Sequence, residues 1–172
     1  MDAVELRAMQ APIKDRYKID PSAALITLKA KGSIDNENIT CKVETGRALA
    51  VAGLHPASGG SGLELCSGDM LLEALVACAG VTLKSVATAV EVPLKKGIVI
   101  AEGDLDFRGT LGVDKEAPVG FAEIRVRFEV ETDAEQDKLD LLKKLTERYC
   151  VVLQTLKGSA ALSATLNNTP PG

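Results

Sequence analysis

Tryptophan is absent from the 172 residues, and only three Phe and two Tyr are present. A core built from this chain is therefore aliphatic, made of Leu, Val, Ile and Ala. The single His leaves few options for a hydrolase triad, and the GxSxG elbow of the esterases does not occur. Lys and Arg number 20 against 24 Asp and Glu, and the basic residues are not clustered, which argues against a nucleic-acid backbone as partner. The glycine loop at 59–62 is followed by no Lys-Ser/Thr pair, and GxGxxG spacing is missing, so it is not a phosphate cradle. No close CxxC pair links Cys41, Cys66, Cys78 and Cys150, so neither a zinc site nor any other metal or cofactor is expected. The opening residues MDAVELRAMQ carry early acids and no sustained apolar stretch. The longest hydrophobic run, MLLEALVACAGVTL, is interrupted by Glu73 and too short to span a bilayer. The expectation is a cytoplasmic protein without a membrane or nucleic-acid partner. Thiols stay reduced there, so the four cysteines are small core residues, metal ligands or redox groups rather than a disulfide scaffold.

What is present reads as one domain over 1–172. Residues 1–23 form an N-terminal helical extension, with a helix at 2–10 ended by Pro12; 24–166 form the core; 167–172 are a tail. Segments 24–34, 39–46 and 47–53 are short and closely spaced, as in an antiparallel meander. After the loop HPASGGSG (55–62), a long helix starts near Ser67-Gly68-Asp69 and ends before Pro93. Leu71, Leu75, Cys78, Thr82 and Val86 lie on one stripe of it, and Leu72, Val76, Ala79 and Leu83 make the other face apolar too. Such a helix is buried, with Cys78 at its middle. Residues 96–112 and 120–132 read as strands, the second alternating cleanly from Ile124 to Val130. Thr132 and Glu135 form a capping-box pattern before a second helix. In that helix the run YCVVL marks a bend or restart at Cys150, and Gly158 ends it. ALSATL (161–166) reads as a last strand. The class is α+β.

Cys78 and Cys150 stand on separate helices and can meet in a folded chain. Peroxide reduction needs a thiolate to attack the peroxide, a cation or donor for the leaving oxygen, and a second thiol to resolve the sulfenic acid. Buried cysteines also serve purely as packing, and composition leaves both roles open. Arg47, in the TGR turn, is either a solvated turn residue or a cation for the thiolate. Asp69 is either a helix-start acid or a functional carboxylate. His55 is an exposed loop residue or a pocket liner, Cys66 a bystander or stray redox partner, and Cys41 alternates with Val43 toward a core.

The stretch GGSGLELCSGDMLLEALVACAGVTL (59–83), with RYCVV at 148–152, resembles the signature of the OsmC/Ohr family of thiol-dependent hydroperoxide reductases, nearer its general OsmC-like branch. The resemblance covers residues 24–166. It implies curved antiparallel sheets around two long helices in an intertwined homodimer, with sites at the subunit interface. It implies an antioxidant peroxidase acting on organic hydroperoxides, regenerated by a dithiol or lipoyl-type reductant. Cys78 would attack, Cys150 would resolve, Arg47 would activate the thiolate and Asp69 would hold the arginine. The chain departs from the Ohr pattern at Gly68, where those members carry Glu, and lacks the proline that commonly follows the second cysteine. A dimer of this fold binding an apolar small molecule without catalysis is the alternative.

Overall fold

The structure, a computed structural model, describes residues 2–19, 31–34, 40–44, 49–112, 114–158 and 160–168. A first helix, α1 (Ala3–Ile19), runs on through Pro12, although proline removes an intrahelical donor. The strands β1 (Lys31–Ile34), β2 (Thr40–Glu44) and β3 (Leu49–Gly53) form the expected antiparallel meander. The chain then crosses a short 3-10 turn (Pro56–Ser58) and returns alongside β3 as β4 (Leu65–Cys66). This connection folds back tightly: a Cβ on Gly60 would sit 1.6 Å from the Leu54 carbonyl oxygen, so only glycine fits.

Helix α2 (Ser67–Ala89) follows, then the hairpin of β5 (Lys96–Leu105) and β6 (Phe121–Glu131), interrupted by the short α3 (Phe107–Thr110). Helices α4 (Gln136–Tyr149) and α5 (Val151–Lys157) complete the order. Thr132 does not cap α4; its hydroxyl donates to the Pro93 carbonyl and accepts from the Ala134 N–H, tying the end of β6 to the turn after α2. Residues 161–168 form no strand, and Leu162 and Leu166 are 95% and 99% exposed. Among the described residues no strand takes their N–H and C=O groups, and β-forming residues alone do not make a strand.

The class is α+β, but curved antiparallel sheets around two long helices are not what the chain forms. The described residues form two separate open sheets, in the orders β1-β2-β3-β4 and β5-β6. The first is mixed, because β3 and β4 pair in parallel through Ala52↔Leu65 and Gly53↔Cys66. The second helix is divided at Cys150, whose φ −72 and ψ 106 are extended. Cys150, Val151 and Val152 are poor helix formers in succession, which favours a break there. The described strand pairings are those of one copy of the chain.

Helix α2 packs on β5 and α4 and touches α5. By length and composition it could cross a membrane, contrary to the reading of its apolar run as too short, yet it serves as the core helix of this fold. Its buried stripe is Leu75, Ala79, Leu83, Val86 and Ala87, drawn from both apolar faces, while Leu71 and Val81 are exposed. One core cluster gathers Leu83, Val86, Ala87, Val92 and Leu142; a second gathers Leu75, Ala79 and Cys150. On the hairpin's other face Arg125 pairs with Asp104 and Glu123, exposed contacts that add little stability.

Candidate active site

The second core cluster holds the candidate chemistry. Cys78 stands at the middle of α2 and Cys150 at the break between α4 and α5, and their side chains pack together. Both are free thiols. Val99, Ala101, Ile124, Val126 and Phe128 of the hairpin, with Val152 and Leu153 of α5, surround them with apolar atoms. Cys150 is fully buried and Cys78 partly exposed, so only Cys78 offers its sulfur to a ligand from outside.

The two thiols are pushed apart in acidity. Burial is the largest influence on Cys78 and pushes it up, but four donors together outweigh it: the Val152 N–H, the Cys150 thiol, the Val151 N–H and the Thr82 hydroxyl. Its thiol is thus held below the ordinary value. Burial likewise pushes Cys150 up. The Leu153 and Val152 N–H groups pull it down, but the hydrogen bond and the negative charge at Cys78 push it further up, and its thiol stands above the ordinary value. Of the two sulfurs, Cys78 is therefore the one that gives up its proton more readily.

This division has a consequence for stability. Cys78, depressed in the folded state, contributes stability that is present above the unfolded thiol value of about 8.5 and is lost as pH falls through its folded value. Cys150, raised in the folded state, contributes stability that is full below that same value and is lost as pH rises through its folded one. The melting temperature of the reduced protein is expected to peak near the ordinary thiol range. Cys150→Ala should remove the alkaline decline; thermal melts across pH under reducing conditions check it.

The other sequence candidates fall elsewhere. Arg47 lies outside the described residues, as does the side chain of Cys41. Asp69 sits nine residues before Cys78 on the continuous helix α2. That separation is about 13 Å of rise and half a turn of rotation, so the two side chains leave opposite faces. Asp69 instead lines a cavity of about 340 Å³ with His55, Cys66, Leu72 and Phe121. His55 caps the 3-10 turn there, its Nδ1 accepting from the Ala57 N–H at 3.0 Å, and stacks on Phe107 with ring centres 5.0 Å apart. Among the described residues no three His, Cys, Asp or Glu side chains converge to hold a metal.

Sequence reading sought a cation and missed the donors found here. Thr82 reads as part of the apolar stripe, and only its place one turn after Cys78 hints at a polar role. The Val151 and Val152 N–H groups leave no trace in side-chain identity, except that the YCVVL run signals a helix restart, and the first N–H groups of a helix lack intrahelical partners.

A family model described as OsmC-like protein matches residues 59–165, which hold both cysteines, the whole of α2 and the β5–β6 hairpin. This chain belongs to the OsmC-like family. No curated protein matches this OsmC-like chain in sequence. Several crystal structures share its fold. An OsmC-like protein from Mycoplasma pneumoniae is 16% identical with a TM-score of 0.64, over 77% of this chain and 89% of that one. An organic hydroperoxide resistance protein from Legionella pneumophila is 17% identical with a TM-score of 0.60, over 78% and 91%. Another, from Elizabethkingia anophelis, is 15% identical with a TM-score of 0.60, over 78% and 90%. At such identities the likeness establishes the fold.

Proposed function

We propose that this OsmC-like protein is a thiol-dependent peroxidase that reduces organic hydroperoxides through Cys78 and Cys150. The observation that carries the reading is the contact between two thiols whose acidities are displaced in opposite directions. The Cys78 thiolate attacks the distal oxygen of ROOH. The O–O bond breaks, an S–O bond forms, and the alkoxide takes a proton to leave as ROH. Sulfur is oxidised to the sulfenic acid as the peroxide is reduced. The Cys150 thiol then attacks the Cys78 sulfur and water leaves, giving a disulfide between the two. A dithiol of lipoyl type restores both thiols by exchange and is itself oxidised to its disulfide.

The apolar surroundings of the pair favour an organic peroxide over hydrogen peroxide. The N–H groups of Val151 and Val152 and the Thr82 hydroxyl favour the thiolate, and Arg47 is proposed to activate it further as a nearby cation. A reducing cytoplasm suits a cycle that starts from two free thiols. Organic hydroperoxide resistance is named for the Legionella and Elizabethkingia proteins that share the fold, which agrees with this assignment.

The test is to mix the reduced protein with one equivalent of cumene hydroperoxide, quench in acid, and follow intact mass and peptide map. The expected result is rapid loss of two hydrogen atoms per chain, with the disulfide mapped to Cys78 and Cys150. If both thiols remain reduced for minutes at micromolar peroxide, the peroxidase reading is wrong. The non-catalytic binder of an apolar molecule then becomes the better account.

A further inference from the structure

We propose that Gln154 is a positioning residue: its side-chain amide holds open the break at Cys150 and so leaves the Val151 and Val152 N–H groups free for the Cys78 sulfur. The inference rests on Cys78 as the attacking thiol. In an uninterrupted helix each N–H bonds the carbonyl four residues earlier. That ladder is intact just before and just after the break, where the Cys150 N–H reaches the Thr146 carbonyl at 3.0 Å and the Gln154 N–H reaches the Cys150 carbonyl at 2.9 Å. Between them the extended Cys150 interrupts it. No described backbone bond joins the Val151 N–H to Glu147 or the Val152 N–H to Arg148, and both N–H groups lie near enough to Cys78 to lower its thiol, the Val152 N–H acting on Cys150 as well.

The Glu147 carbonyl is the acceptor that a straight helix would give to Val151. In the structure it is taken by Gln154 Nε2 at 2.7 Å. The side-chain amide, reaching back seven residues, occupies the place of the backbone donor. With that acceptor filled, the Val151 N–H has no intrahelical partner to return to, and the first turn of α5 stays directed at the thiolate. The Glu147 carboxylate also meets Lys143 Nζ at 2.6 Å and Lys157 Nζ at 3.7 Å. The longer contact, to an exposed lysine, is a weak tie across the break. Gln154 is the specific one.

The test is the pH profile of alkylation at Cys78, read by iodoacetamide labelling and peptide mapping of the reduced full chain, with no peroxide present. Gln154→Met keeps the length of the side chain and removes the donor. Its midpoint should move upward, with labelling at neutral pH about three- to tenfold slower than wild type, as loss of one hydrogen bond's influence predicts. Lys157→Met should leave the profile where it was. Circular dichroism establishes that each variant is folded, and Gln154→Ala substitutes for the methionine variant should that one not fold. An unchanged Cys78 midpoint in a folded Gln154 variant overturns the proposal. So does an equal shift in Lys157→Met, which would make the effect a general loosening of α5. If the wild type fails to consume peroxide while Gln154→Met still shifts the profile, the peroxidase reading falls and the positioning role of Gln154 stands.

Discussion

A Cys150→Ser protein is expected to react with one equivalent of organic hydroperoxide and then stop, whereas Cys78→Ser consumes none. Steady-state turnover with a dithiol reductant should fall on the order of a thousandfold or more in Cys78→Ser, because the attacking thiolate is lost. The two variants differ because the sulfurs differ. Cys78 is partly exposed and surrounded by donors, so the peroxide reaches it. Cys150 is fully buried and is the less acidic of the two, so it meets only the sulfur beside it. In Cys150→Ser the hydroxyl still donates to Cys78 but cannot displace water from a sulfenic acid. The intact mass should therefore show one added oxygen that dimedone traps. Cys150→Ala should react more slowly even in this first step, since a donor that lowers Cys78 is gone. A Cys78→Ser protein that retains peroxide turnover would move the chemistry to another thiol, with Cys66 in its separate cavity the next to examine.

The parts of this architecture legible from sequence are those governed by local rules. Periodicity and the Gly-rich loop located α2 and put Cys78 in its middle. Alternation from Ile124 to Val130 located β6. Three weak helix formers in a row marked the restart at Cys150. Long-range partners set the rest. The parallel pairing of β4 with β3 follows from how the loop folds over Leu54, which composition does not encode. ALSATL has strand residues but pairs with no strand among the described residues. The resemblance gives Asp69 the task of holding Arg47, which lies outside the described residues; nine helical positions place Asp69 and Cys78 on opposite faces of α2. The donors to Cys78 are mostly backbone groups, invisible to any argument from side-chain type. That Cys78 and Cys150 adjoin depended on α2 and α5 meeting, which residue spacing permitted without requiring.

Thr146→Val is expected to make the reduced protein more stable, by about 1–3 kcal/mol. Thr146 lies one turn before Cys150 on the inner face of α4 and is 0% exposed. Its neighbour a turn earlier, Leu142, belongs to one apolar cluster and Cys150 to the other, so the hydroxyl stands where the two clusters adjoin. Its Oγ1 has no hydrogen-bond partner. Burying a hydroxyl without a bond forfeits its hydration for nothing in return. Valine keeps the branched shape and has a similar helix propensity, so neither packing nor α4 should suffer. For a chain of this size the gain corresponds to a rise in Tm of about 2–4 °C per kcal/mol. The substitution leaves the Thr146 carbonyl in place as acceptor for the Cys150 N–H, so the break and the reactivity of Cys78 should persist. Calorimetry and Cys78 alkylation on the same sample separate the two expectations. A lower Tm would mean that in solution the hydroxyl has a partner, such as a buried water bridging it to another polar group. Greater stability with an unchanged alkylation profile would mean that Thr146 is a purely structural defect lying beside the thiol pair.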